Sequence, residues 1–378
     1  MPSIHTLRRF CHLLLGAAAL AAVTIPQAYA TPDYIRLDSF LEQNPDQMRT
    51  ASQFADLVRK SAQPVEDSGL STIKIALVYP GIQASDYWRR SQTSLERRLR
   101  SLNIPFELRS FFSHPSVDTA LQSQQLARAL EWQPDYLAFT LDVAPQGRMV
   151  ERLLAQGKPK LILQNITTPL ARWQSHQPFL YVGFDHAQGT QLMAEWMLNK
   201  IDYRGKYLLL YFSPGYVSQM RGDTFASEAA KYADVQQVGA YYTDGNLERA
   251  YRATLKTLEQ HPDLKMIFAC STDVALGALR ALREKNRLDV LLNGWGGGAA
   301  ELQALQQSEL DVTVMRINDD NGIAMAEAIK LDLLQQPNRV PQIFAGEIKL
   351  LPADIPEDQL EQLIQRAFRL SGVEVMAQ

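Results

Sequence analysis

The sequence predicts an α/β protein made of two doubly wound parallel-sheet lobes, and three observations carry that prediction. From residue 73 onward, short runs rich in Val, Ile, Leu, Phe and Tyr alternate with amphipathic segments of helical period. Many of the runs are apolar at successive positions, so both faces of those strands are buried, as in parallel sheets covered by crossover helices. The 378 residues also exceed what one hydrophobic core usually organises, and two sheets fit the length.

Residues 33–70 read as helices without a strand and are expected to wrap the first lobe. A strand over 73–79 is followed by a helix over 86–102, with Trp88, Leu95, Leu99 and Leu102 on one face and Arg89, Arg90, Arg97, Arg98 and Arg100 elsewhere. Strands follow over 105–111, 136–141 and 160–163, with helices over 117–132 and 146–156 between them. The rhythm continues with strands 179–182, 207–212, 235–242, 265–269 and 290–292. Helices are expected between them at 186–201, 217–232, 246–260 and 272–285. A strand over 311–315, a helix over 322–334, a strand over 343–350 and a helix over 357–370 close the chain. Crossovers of this kind are right-handed, which leaves doubly wound folds as the leading class.

The first thirty residues read as a secretory signal peptide. Arg8 and Arg9 precede the apolar stretch 13–23, which is too short to span a bilayer, and Ala28-Tyr29-Ala30 supplies a small-residue cleavage site. The mature chain is therefore expected to start at Thr31 and to work in the periplasm. Cys11 precedes the apolar run, where a lipid-anchored cysteine would follow it, so no direct membrane insertion is expected. Losing two arginines leaves 36 basic residues against 41 acidic ones, a net charge of −5, which argues against nucleic acid as a partner. Cys270 is then the one remaining cysteine, so a disulfide framework is excluded and the residue reads as a small core side chain.

Ligands of open parallel sheets bind beyond the carboxyl ends of strands, where loops and helix N-termini converge. The residues there are 81–88 after the first strand, Gln164-Asn165 after the fourth, and 213–221, 271–273, 293–298 and Arg316 later in the chain. Amides, hydroxyls and a carboxylate suit neighbouring hydroxyl groups, and indoles suit the apolar side of a ring, so a compact polyol is expected. Two arginines exceed what a neutral sugar needs, because buried cations are costly without a compensating anion. Asp273, Asp319 and Asp320 are nearby acids that could be those partners instead.

Several of these segments resemble the LuxP family of periplasmic autoinducer-2 receptors. They are Tyr79-Pro80-Gly81 through Trp88, then 161–169, 177–186, 221–225, 269–278, Asn293-Gly294-Trp295-Gly296-Gly297-Gly298 and Val314-Met315-Arg316. The likeness covers about 73–370, and the segments 243–260 and 335–347 depart from it. It implies a type I periplasmic binding protein with a three-segment hinge near 184–186, 316–318 and 341–344. The N-terminal lobe would be 31–184 plus 317–342 and the C-terminal lobe 185–316 plus 343–378. It implies Gln83, Ser85, Trp88, Asn165, Thr272, Asp273 and Trp295 as ligand contacts. Arg221 and Arg316, one from each side of the groove, would meet the borate of a furanosyl borate diester. It also implies quorum-sensing signal transduction, in which closure is read by a LuxQ-type membrane sensor histidine kinase.

Other patterns are set aside. The glycine run 294–298 lacks dinucleotide-fingerprint spacing, and His114, His176, His186 and His261 lack metal-ligand spacing, so neither a cofactor nor a metal is expected. No Ser-His-acid set or acid pair shares the strand exits, so no enzyme is expected. A periplasmic sugar-binding protein of an ABC transporter is the alternative with the same fold, and the two arginines argue against it.

Overall fold

The computed structural model of the protein describes residues 34–66, 69–173 and 176–372; the expected signal peptide, 1–30, lies outside them. In the first lobe, Ile73–Tyr79 (β1), Phe106–Phe112 (β2), Tyr136–Thr140 (β3), Lys160–Gln164 (β4) and Leu180–Phe184 (β5) pair in the order β2-β1-β3-β4-β5, all parallel. In the second, Gly205–Tyr211 (β6), Val235–Tyr242 (β7), Leu264–Ala269 (β8) and Leu291–Leu292 (β9) pair in the order β7-β6-β8-β9, again parallel. Val312–Arg316 (β10) continues this sheet through the bridges Asn293–Val312 and Gly296–Met315. The two lobes thus repeat one topology, although the sequence shows no internal repeat. Each has its order reversal between the first and third strand, which opens a crevice at the carboxyl edge.

Helices cover the sheets as the apolar stripes require. In the first lobe these are Leu37–Gln43 (α1), Pro45–Arg59 (α2), Tyr87–Ser101 (α3), Thr119–Glu131 (α4) and Ala144–Gln156 (α5). In the second they are His186–Lys200 (α6), Tyr216–Ser218 (α7), Thr224–Ala229 (α8), Leu247–Gln260 (α9), Thr272–Glu284 (α10) and Ala299–Gln306 (α11). Asp319–Leu333 (α12) returns to the first lobe, where Ile323, Met325 and Ile329 join Leu95 and Leu99 of α3 and Ile75, Leu77 and Val182 of the sheet in one core. α1 and α2 wrap this lobe as expected, with Phe40 and Phe54 buried.

Three differences from the sequence reading matter. The single strand expected over 343–350 is two: Ile343–Gly346 (β11) pairs parallel with β5, and Ile348–Pro352 (β12) pairs antiparallel with β10. The third crossing therefore falls at Glu347, after the expected 341–344, and residues 343–346 stand in the first lobe's sheet. Extended residues on both sides of Glu347 hide such a switch, because only the pairing partners tell the two strands apart. The helix expected over 217–232 contains a π turn at Gln219–Asp223 between α7 and α8. Finally, α11 was not foreseen, and α12 starts three residues before the expected 322. Glu357–Ala367 (α13) then packs Leu360 and Ala367 against the second lobe's core.

Candidate functional site

The carboxyl edges of the two sheets face each other across a cleft that encloses a small cavity. Its first-lobe wall comes from the β1 exit (Gln83, Ser85, Tyr87, Trp88), the β3 exit (Asp142) and the β4 exit (Asn165). Its second-lobe wall comes from the β6 exit (Phe212, Val217, Arg221), the β8 exit (Ser271, Thr272), the β9 exit (Trp295) and the end of β10 (Arg316). Eight of the nine residues expected at the site line this one cavity. The ninth, Asp273, spans the cleft mouth, where its Oδ1 accepts from the Ala84 backbone N–H at 3.0 Å. Burial raises its pKa.

A second carboxylate reaches across in the opposite sense: Asp86 Oδ2 accepts from Ala299 N at 3.2 Å, at the N-terminus of α11, while holding Arg90 Nε at 2.6 Å. Thr167 N donates to Tyr216 Oη at 3.3 Å, and Ser213 Oγ bonds Ser116 Oγ at 2.6 Å. With these contacts made, the lobes are closed.

Both guanidinium groups stand on the second lobe, so the expectation of one from each side is corrected. Arg316 ends β10, which pairs with β12 in that lobe, and Arg221 sits in the π turn. Such a turn widens one helical step and turns its side chains out of register, a geometry often used at functional sites. The two are 4% and 5% exposed. Arg221 stacks on the Trp295 ring at 3.7 Å, and Arg316 lies over the Tyr87 ring at 4.2 Å. One face of Trp295 therefore carries a cation and is not an open sugar platform.

The acids once available as partners are engaged elsewhere. Asp319 accepts from Leu370 N and Ser371 N, Asp320 pairs with Arg369, and Asp273 holds Ala84. Among the described residues neither arginine has a carboxylate partner, and Arg316 Nε, Asn165 Oδ1 and Ser271 Oγ are buried without a hydrogen bond. Burial, with Arg316 nearby, pushes Arg221 down to about 9, so it remains a cation at neutral pH. Burial lowers the pKa of Arg316 too.

Asp142 was missed by the sequence reading, although it lies two residues beyond β3 and the strand-exit rule would have found it. Burial pushes its carboxyl up to about 6, against the lowering effect of the Asn165 amide, which donates to Oδ1 at 3.2 Å. Tyr87, Val217 and Ser271 lie in the strand-exit segments read from the sequence but were not among the expected contacts, and Phe212, the last residue of an expected strand, was not either.

Glu301, inside the unforeseen α11, had no signal at all. It is fully buried and accepts four bonds: Thr272 Oγ1 at 2.6 Å, Trp295 N at 2.8 Å, Gly297 N at 2.9 Å and Thr313 Oγ1 at 2.6 Å. That carboxylate fixes the glycine-rich loop. Gly296, at φ 142°, lets the loop pass beside Arg316, whose Nη2 lies 2.5 Å from where a Cβ would stand. Among the described residues no group of His, Cys, Asp and Glu could hold a metal ion. Cys270 is buried, as expected for a core side chain.

Two doubly wound lobes closed on a polar cavity define a bilobal binding protein for a small ligand. The chain belongs to the periplasmic binding protein domain family, whose model it matches over residues 75–335. It is 23% identical over 172 residues to the ribose import binding protein RbsB of Salmonella typhimurium, covering 45% of this chain and 57% of that one. It is 22% identical over 240 residues to the D-apiose import binding protein of Paraburkholderia graminis, covering 58% and 75%. The chain thus spans little more than half the length of the ribose protein.

Among solved structures, an ABC transporter solute-binding protein from Agrobacterium vitis bound with alpha-D-tagatopyranose has a TM-score of 0.69 at 15% identity, covering 77% of this chain and 99% of that one. One from Burkholderia graminis in complex with D-arabinose has 0.65 at 16%, covering 78% and 98%. At these identities the likeness is one of fold, and it agrees with the two-lobed architecture expected from the sequence. Among the described residues no helix is long and apolar enough to cross a membrane.

Proposed function

We propose that the protein is a periplasmic receptor for autoinducer-2, bound between the lobes as its furanosyl borate diester, and that lobe closure signals to a LuxQ-type membrane sensor histidine kinase in quorum sensing. The observation that carries this reading is the pair of buried arginines without a carboxylate partner, set in a wall of amides and hydroxyls. A neutral sugar would leave both desolvated cations with only the more distant carboxylates of Asp142, Asp86 and Glu301 to offset them, whereas an anionic ring would accept charge-assisted bonds contributing about 1.5–3 kcal/mol each. The N-terminus of α10, at Ser271 and Thr272, adds a positive dipole end on the same side.

The relatives support a second reading, a neutral sugar delivered to an ABC transporter, because those they name are sugar import proteins. Titration calorimetry separates the two. Autoinducer-2 should bind at least tenfold more tightly with borate than in boron-depleted buffer, and more tightly than ribose or D-apiose. Equal affinity for a neutral pentose, with no response to borate, would leave the transport reading standing. Mass spectrometry of the small molecule that copurifies with the mature chain decides the same question without a guess at the ligand.

A further inference from the structure

His186 begins α6 at the first crossing between lobes and is fully buried. Its two ring nitrogens face different lobes. Nδ1 lies 3.1 Å from Arg221 Nε and 3.0 Å from Arg221 Nη2, while Nε2 lies 3.1 Å from the backbone oxygen of Asn165. An arginine can only donate and a carbonyl can only accept, so Nδ1 is the bare nitrogen and Nε2 carries the proton. The two ends demand the same tautomer.

With Nε and Nη2 held by His186, and Nη1 donating to the Cys270 carbonyl at 2.6 Å, three of the five guanidinium N–H bonds are used. One remains on each terminal nitrogen, a two-pronged donor set for the cavity. Asn165 is also constrained, since its backbone has φ 69° and its side chain lines the same cavity.

We infer that His186 is a positioning residue that orients Arg221 and ties it to the Asn165 loop of the opposite lobe, so that the cation keeps its aim while the lobes hinge. It touches no ligand itself. The charged and titratable groups around it are Arg221 from the π turn, Arg316 from β10 and Tyr216 from α7, with Asp142 acting on it through Arg221. Trp295 packs on its ring at 4.9 Å. A second proton on the imidazole would face Arg221 directly, and burial together with that cation holds the pKa well below the usual value.

The inference deepens the reading of the cleft as an anion site, but its primary test needs no ligand. Nitrogen-15 spectra of the full mature chain should show His186 with Nδ1 bare and Nε2 protonated throughout about pH 5 to 8, where an ordinary imidazole titrates. The Arg221 Nε–H signal should be protected from exchange in the wild type and in His186→Asn, whose side-chain oxygen can stand in for Nδ1. In His186→Leu the protection should be lost while the thermal midpoint stays within the folded range. A proton on Nδ1 at neutral pH, or unchanged Arg221 protection in the Leu variant, would overturn the assignment.

In binding, the Leu variant should lose roughly tenfold in affinity for autoinducer-2 with borate and the Asn variant less, the scale of one charge-assisted hydrogen bond. A wild type indifferent to borate would refute the anion reading while leaving the spectroscopic result to judge His186.

Discussion

The two lobes share a strand order yet present different chemistry to the cleft. The first lobe offers Gln83, Ser85, Trp88 and Asn165, uncharged groups on loops that follow β1 and β4, and Asp142, whose carboxyl is half-protonated near pH 6. The second lobe offers Arg221 and Arg316 with Ser271, Thr272 and Trp295, backed by the buried carboxylate of Glu301. At neutral pH one wall carries a single negative charge, at Asp142, and the other carries two positive ones. Topology places the cleft, and the residues at equivalent strand exits divide the task, charge on one side and hydroxyl recognition on the other. A ligand docking first on the lobe with the two arginines would draw the other lobe over it, because only the closed form makes both sets of contacts.

The division can be broken most sharply by removing its charges. Arg221→Ala with Arg316→Ala should lower affinity for an anionic ring at least a hundredfold in calorimetry, from two bonds of about 1.5–3 kcal/mol each, and change neutral-sugar affinity far less. Glu301→Ala should strip four donors of their acceptor and destabilise the second lobe by about 3 kcal/mol or more, seen in denaturant unfolding, although Glu301 touches no ligand.

On the other wall, Asp142 works against folding once ionised. Its folded pKa is raised from 3.8 to about 6, so the penalty is absent below the lower value, grows as pH rises between them and is complete above the upper one. Asp142→Asn should therefore gain about 1–3 kcal/mol over the wild type at neutral pH and nothing near pH 4 in the same unfolding assay.

The Asp273 contact should have the smallest effect. Asp273→Asn should weaken closure severalfold, read by small-angle scattering of the liganded protein, because it replaces one bond to an ionised acceptor by a neutral one, whereas Asp86 also holds the buried Arg90 and would add the loss of that ion pair. For Asp273, loss of ligand affinity without any opening would return it to the ligand-contact role first expected of it.

Most of the fold was legible because apolar runs and amphipathic helices report burial locally. The exceptions are instructive. The run 343–350 reads as one strand since its residues stay extended without a turn signal, and only pairing partners reveal that β11 and β12 serve different sheets. The π turn at Gln219–Asp223 leaves no mark in a helical pattern that continues on both sides. In the site, residues just after strands could be found by position, and eight of nine lie on the cavity. Glu301 could not, because it follows no strand, and His186, two residues beyond β5, could be found by position but not by role, because its importance lies in what it holds.

The chain by itself determined the alternation of strand and helix, the strand exits where polar side chains collect, and the presence of two arginines among them, since these depend on neighbours a few residues apart. Tertiary structure alone decided that both arginines share one lobe, that Asp273 is a clasp across the cleft and that His186 joins Asn165 to Arg221. Those outcomes follow from which strands pair and which loops meet when the lobes close. Such contacts join residues tens to hundreds of positions apart, and no local pattern encodes them.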